Sequence, residues 1–442
     1  MTQRSAVRGR LLTFIADPAE AGTAASHRYW ADGVVAVDDG VITAVGATAD
    51  VLPTLPAGTP VDHYPDQLVM PGLIDTHIHF PQTQVIGSYG EQLLEWLQKY
   101  TFVEEQKFAD PAHAERIAGF FLDELFRNGT TTAVVYCTVR PESAEALFAE
   151  SNRRNARMIA GKVMMDRGAP DGLLDTAQRG YDETKALVAR WHGQGRQHYA
   201  ISPRFALTST EAQLEAAGAL VREHPDCYLQ THLAENKDEI ATALRLYPQA
   251  ASYTDIYDRY GLLGPRSLFG HCVHLAEAEL ERLSATRSIA AFCPTSNLFI
   301  GSGLFDLAAI RDPRRPVRVS LATDVGGGTS YSMLRTAAEA YKVLQLRRQN
   351  LPAFDAFYLM TLGNARALSL EDRIGSLESG READLVVLDA RATPAMAHRM
   401  ETISGDLAEE LFVLMSMGDV GRPYRAVAAH GHQDEQLLGQ IA

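Results

Sequence analysis

Hydrophobic and polar positions fall into three textures along the chain. Over roughly the first 65 residues, short apolar runs (LLTFIA, VVAVDDG, VITAVGA) are broken by turn residues in the manner of hairpins. The far end repeats this texture, with ADLVVLD and YRAVAAHG strand-like and the turn-rich IGSLESGREAD ahead of them. The two ends together predict one small β-sandwich domain built from both termini. The middle alternates strand-like and helical runs, the pattern of βα units on a parallel sheet. Its candidate strands are GLIDTHIH, TTTAVVYCT, MIAGKVMM, HYAISPRF, CYLQTHLAE, SLFGHCVHL, SIAAFCPTSN and VRVSLATDVGG. Helical stretches such as PAHAERIAGFFLDELFRNG and STEAQLEAAGALVREHP lie between them. Eight such units predict an α/β chain with a (β/α)8 TIM-type barrel of about 300 residues. The expected division is 1–69 and 372–442 for the two parts of the β-sandwich domain and 70–371 for the barrel. No internal repeat and no low-complexity segment interrupts it.

The strands end in an unusual way. His77 and His79 finish the first, Arg204 the fourth, His232 and Glu235 the fifth, His271 the sixth, Asn297 the seventh and Asp324 the eighth. In such a barrel all C-terminal strand ends converge on one rim, where active sites sit. His77 and His79 are two apart, so on a strand they share a side. A third imidazole from His232 and a carboxylate from Asp324 complete a four-ligand set. Nitrogen and oxygen donors without thiolates favour Zn²⁺, with Fe²⁺ left open. A lone barrel histidine is ordinarily a satisfied core residue, but that alternative weakens when four such residues fall on one rim. Glu235, three residues after His232, can reach back over the ion as a proton carrier. The plain alternative is a surface carboxylate in a salt bridge. His271 could be a fifth ligand or hydrogen-bond the attacking hydroxide, and the second is preferred; His274 is assigned a structural role. Lys162 could be carbamylated and bridge two metals or pair with a buried acid; one metal per chain is expected. His113-Ala114-Glu115 spells the H-x-E of another zinc deaminase class, but no P-C-x-x-C accompanies it.

Composition narrows the picture. The 442 residues carry 41 Lys+Arg against 55 Asp+Glu, a formal charge of −14, which lacks the basic face a nucleic-acid binder needs. No run of about 20 apolar residues predicts a membrane span, and the apolar patch after the first arginines is too short for a signal peptide. Cys137, Cys227, Cys272 and Cys293 form no CxxC and fit reduced, buried thiols in a cytoplasmic enzyme.

With these residues in hand, PGLIDTHIH, THLAE, GHCVHL and ATDVGGG resemble the amidohydrolase superfamily. Longer blocks resemble its guanine deaminase family: THIHFPQTQ, EQLLEWLQKYTF, NGTTTA, SPRFALTST, HLAENKDE, FCPTSNLFIGSGLF and TDVGGGTSYSML. The likeness runs from about Met70 through LGNARAL into IGSLESGREADLVVLD. It implies a mononuclear zinc hydrolase that converts guanine to xanthine and ammonia in purine catabolism, commonly as a homodimer. It implies His77, His79, His232 and Asp324 as zinc ligands and Glu235, Asp324 and His271 as catalytic residues. Gln82, Arg204, Phe205 and Glu235 match purine-contacting positions, with Trp96 a weaker pocket candidate. The expected partner is a small purine, with neither nucleic acid nor membrane. Two rivals remain at this point: a related deaminase acting on 8-oxoguanine, a triazine or another heterocycle, and a silent relative that keeps the barrel as a scaffold.

Overall fold

The computed structural model describes residues 4–90 and 92–418 and the backbone of 424–428. Its fifteen strands are β1 (Arg4–Phe14), β2 (His27–Asp38), β3 (Val41–Ala47), β4 (Val61–Pro71), β5 (Leu73–His79), β6 (Thr130–Tyr136), β7 (Arg157–Gly161), β8 (Val163–Met164), β9 (His198–Pro203), β10 (Tyr228–Leu233), β11 (Ser267–His271), β12 (Ile289–Phe292), β13 (Arg318–Leu321), β14 (Asp384–Leu388) and β15 (Tyr424–Ala428). They form two sheets.

The parallel sheet runs β5-β6-β7-β9-β10-β11-β12-β13, with the two-residue β8 attached to β9. All eight expected runs contain these strands. The sheet closes where β13 returns to β5. Thr76 Oγ1 donates to Ser320 Oγ at 2.8 Å, and Asp324 N and His79 N donate to His77 O and Val325 O at 2.9 and 2.7 Å. Below the closure, Asn364 Nδ2 donates to Ile74 O and Leu321 O while its Oδ1 accepts from Leu321 N. Asn364 belongs to the LGNARAL block, so one buried amide joins the first and last strands. β5, β6, β7, β11 and β12 are buried at every position, which is why they read as apolar runs rather than alternating ones.

The helices between strands follow simple rules. In Pro111–Arg127 the Asp110 side chain caps the start, accepting from Ala112 N at 3.1 Å, and proline takes the first turn. Ala114, Ile117, Ala118, Phe121, Leu122 and Leu125 form its buried stripe. This helix holds His113 and Glu115, so the H-x-E spelling falls in the first turn of a helix.

The second sheet is one continuous, mixed, six-stranded sheet in the order β15-β14-β4-β1-β2-β3, drawn from both ends of the chain as expected. The last residues of YRAVAAHG, 429–431, lie outside the described residues. Residues 394–400 and 407–417 are helical, and Met396, Met400, Leu411 and Leu414 join the large core that also covers the barrel. The C-terminal part is therefore not sheet throughout. β4 passes into β5 through Gly72 alone, where a Cβ would meet Thr131 Oγ1 at 2.2 Å.

An ionic seam links the sheets. Arg157 at the start of β7 pairs with Glu382, and Arg196 pairs with Glu382 and with Asp384 of β14. Burial alone would raise the Glu382 carboxyl, but the charges of Arg196 and Arg157 outweigh it and hold it below its ordinary value. A depressed carboxylate stabilises the fold above its unfolded value of about 4.3, and that contribution fades as pH falls through the folded value. Glu382→Gln should therefore destabilise by about 1.5–3 kcal/mol at neutral pH. In denaturant unfolding the gap between wild type and variant should narrow in acid; a gap that widened instead would refute this assignment.

Candidate active site

Five side chains meet on the rim. β5 ends in His77 and His79, β10 carries His232, β11 ends in His271, and Asp324 follows β13. His77 Nε2 and His79 Nε2 lie 3.4 and 3.3 Å from Asp324 Oδ1, and His232 Nε2 lies 3.3 Å from His79 Nε2. The ligand atoms of His77, His79 and His232 all fall within 4.8 Å of one another, as do those of His77, His271 and Asp324. Space for this is made by Gly270, where a Cβ would sit 2.5 Å from His77 Cε1. The backbone bends sharply here. Of nine non-glycine residues with positive φ among the described residues, four are Ala234, His271, Cys272 and Asp324, at the ends of three strands. Strained backbone of this kind persists only where the surrounding structure holds it, and it gathers at functional sites.

The donor set fits a divalent first-row cation. His232 Nδ1 faces Arg204 O at 2.7 Å, so it carries the proton and leaves the Nε2 lone pair toward the cluster. His77 Nε2 is buried with no hydrogen-bond partner, a state that costs free energy unless something accepts the lone pair. Burial pushes His79 down to about 3 and His232 well below its ordinary value, so both rings are neutral, as metal ligands must be. Burial alone would raise Asp324, yet the imidazoles of His77 and His79 outweigh it and keep the carboxylate ionised.

Glu235 sits in the turn after β10. Asn236 and Glu239 form a capping box at the next helix, Lys237–Leu246. Glu239 Oε2 accepts from Glu235 N at 2.9 Å and Asn236 N at 3.0 Å, which sets the direction of the turn. Glu235 Oε2 lies 3.3 Å from His271 Nε2, and its Oε1 accepts from Ser302 Oγ at 2.8 Å. Burial and the neighbouring Asp324 charge push its carboxyl up to about 8. His271 Nδ1 faces Asn297 Oδ1 at 2.9 Å. The expectation that Asn297 ends the strand SIAAFCPTSN is not met: Pro294 starts a helix, Pro294–Phe299, which carries it.

Beside the cluster lies a pocket lined by Gln82, Leu93, Trp96, Leu97, Arg204, Phe205, Ile300 and Gly327, with His79, His232, Glu235, His271 and Asp324 at one end. The expected purine-contacting residues therefore converge. Trp96 is 2% exposed, and its Nε1 has no hydrogen-bond partner among the described residues. Gln82 is more constrained than its sequence suggested: Nε2 donates to Glu105 Oε1 at 3.0 Å and Oε1 accepts from Gly326 N at 3.3 Å. Lys162 is not at the site; its Nζ is fully buried against Asp175 at 2.6 Å and Glu183 at 3.1 Å. His274 Nε2 bonds Ser302 O at 2.8 Å, a structural contact. Sequence reasoning missed Glu105 and Ser302. Only the general rule that a buried arginine requires a carboxylate pointed toward the first, and nothing in the spacing of FVEEQ picked it out.

Comparison with known proteins agrees with this geometry. Residues 68–422 match the amidohydrolase family. The chain belongs to the amidohydrolase family. Among amidohydrolase relatives it is 48% identical over 423 residues to guanine deaminase of Escherichia coli (strain K12), covering 95% of each chain. It resembles the solved structure of E. coli guanine deaminase with a TM-score of 0.93 and 47% identity, covering 96% of this chain and 98% of that one. A guanine deaminase from C. acetobutylicum, solved with guanine bound in its active site, superposes with a TM-score of 0.84 at 25% identity, covering 97% and 99%.

The close approach of Gly270 to His77 gives a direct test. Gly270→Ala displaces the His77 ring and should lower affinity for a divalent ion about 10–100-fold, read by chelator competition with circular dichroism unchanged. Unaltered affinity would show that His77 does not depend on this gap.

Proposed function

We propose that the protein is a guanine deaminase that hydrolyses guanine to xanthine and ammonia. The observation that carries this reading is the buried Glu235 carboxyl, placed between the imidazole–carboxylate cluster and the pocket lined by Gln82, Arg204 and Phe205. His77, His79, His232 and Asp324 would hold one Zn²⁺ per chain. The ion, when bound, supplies the Lewis acidity that activates water near neutral pH.

The rest is done by side chains. Glu235 takes the proton of the attacking water at Oε2 and passes it to the ring nitrogen beside C2, which makes C2 more electrophilic. It then takes the second proton, from the new hydroxyl on C2, and delivers it to the amino group, so that the C–N bond breaks, ammonia leaves and C2 becomes a carbonyl. A carboxyl pushed up to about 8 stays near its midpoint, so it can both take and give a proton. Asp324 accepts a hydrogen bond from the attacking water. His271, its ring oriented by Asn297, stabilises the charge that develops on the oxygen. Arg204 offers donors only. Facing C6, it satisfies guanine's carbonyl oxygen and meets adenine's amino group donor to donor. Phe205 packs beside the ring, and Trp96 closes the wall with an indole N–H that has no partner among the described residues.

The same reading assigns residues 70–371 to catalysis and 1–69 with 372–442 to a second domain. Four buried free cysteines support a reducing, cytoplasmic setting, and no described helix is long and apolar enough to cross a membrane. Purine catabolism and a homodimeric assembly rest on family resemblance alone.

The deciding experiment incubates purified protein with guanine, adenine and 8-oxoguanine and assays ammonia alongside bound metal. Strong preference for guanine is expected, and Arg204→Met should lower kcat/KM for guanine by at least about a hundredfold, within the range for a site that reads its substrate by hydrogen bonds. Comparable rates on guanine and adenine would defeat the reading. Glu235→Gln should keep fold and metal and lose about 10²–10⁴ of turnover; near-native kcat would reduce Glu235 to a binding residue.

A further inference from the structure

The stretch after β5 folds into short helical turns, including Leu93–Trp96, Leu97–Thr101 and Phe102–Glu105. Glu105, at the end of the last, is fully buried. Its Oε1 accepts from Gln82 Nε2 at 3.0 Å and from Arg204 Nη1 at 2.9 Å, and its Oε2 accepts from the same Nη1 at 2.7 Å. The Arg204 guanidinium carbon also lies 5.3 Å from the centre of the Phe102 ring. One edge of the guanidinium is thus gripped by Glu105 and one face rests on Phe102. Among the described residues its Nη2 and Nε make no hydrogen bond to the protein. Arg204 lines the cavity and Glu105 does not.

We propose that Glu105 is a positioning residue that fixes Arg204 and Gln82 with one carboxylate and cancels the guanidinium charge, so that the cavity favours an uncharged purine ring over an anionic one. This inference rests on the guanine deaminase reading and deepens it. A buried guanidinium without its carboxylate is an uncompensated charge that draws anions. Paired with Glu105, it keeps its free N–H donors for a carbonyl oxygen while adding little net field. The distinction matters across the reaction. Guanine enters as a neutral ring, whereas xanthine, with carbonyls on both sides of its ring N–H, is the stronger acid and sheds a proton readily. A cavity of neutral total charge at this end binds the substrate and does not retain the anion of the product.

The test uses the metal-loaded full chain and two ligands that share the C6 carbonyl, neither with an amino group to lose. In mildly alkaline buffer xanthine is largely its anion and hypoxanthine is largely neutral, and calorimetry gives the affinity ratio. Glu105→Gln should shift the ratio toward xanthine by at least about tenfold, the scale of one modest charge–charge interaction. Glu105→Asp should stay near wild type, and guanine turnover in Glu105→Gln should show a larger change in KM than in kcat. A role limited to packing would weaken both ligands alike, so an unchanged ratio overturns the proposal. If Glu105→Gln does not fold, Arg204→Gln decides from the other side. That variant leaves the carboxylate alone in the wall and must reject xanthine more strongly than wild type; equal or weaker rejection overturns the proposal. A wild type that releases ammonia from guanine but shows an unshifted ratio in the variants defeats this inference alone. A wild type that releases none defeats the functional reading and this inference with it.

Discussion

Three imidazoles and an ionised carboxylate are crowded together at the barrel rim, and the rest of the site answers to that crowding. Lone pairs that converge without solvent call for a cation, and no protein donor supplies one to His77 Nε2. The cost of arranging this is visible in the backbone. Ala234, His271, Cys272 and Asp324 hold positive φ without the freedom of glycine, and Gly270 gives up a side chain to admit the His77 ring. A barrel can tolerate these local costs because its strands are tied elsewhere, most directly by Asn364 across the closure between β5 and β13.

The terminal sheet is part of the same economy. β4 runs into β5 through Gly72, so the strand that carries His77 and His79 is continuous with a strand of the second sheet. The Arg157, Arg196, Glu382 and Asp384 seam sits beside this junction, where Gly72 N donates to Asp384 O at 2.8 Å. Paired charges suit this boundary because each surface presents backbone and polar groups that a purely apolar contact would leave unsatisfied.

Much of this was legible in the sequence, for physical reasons. Strands buried on both faces are written as apolar runs, and their polar ends stand out because a barrel brings all of them to one rim. His77, His79, His232, His271, Glu235 and Asp324 were visible for that reason. Asn297 was placed on a strand because the run SIAAF continues into CPTSN without an obvious break, although Pro294 marks the helix start. Residues 394–417 gave no sign of helix because runs such as LFVLM carry neither period clearly. Glu105 was hidden for a different reason. Its meaning lies in a contact with Arg204 across 99 positions of chain, and pairwise contacts at that range leave no trace in local spacing.

The two halves of the site are also encoded differently. The metal-facing side chains are scattered from His77 to Asp324, carried by β5, β10 and the turn after β13. Half of the recognition wall comes from one passage, with Gln82, Leu93, Trp96 and Leu97 lining the pocket and Phe102 and Glu105 supporting Arg204 from behind. Reaction chemistry is therefore distributed and hard to alter, while ligand preference is concentrated and exchangeable. A lineage could retune what it accepts by rewriting a single contiguous segment, leaving the hydrolytic centre untouched.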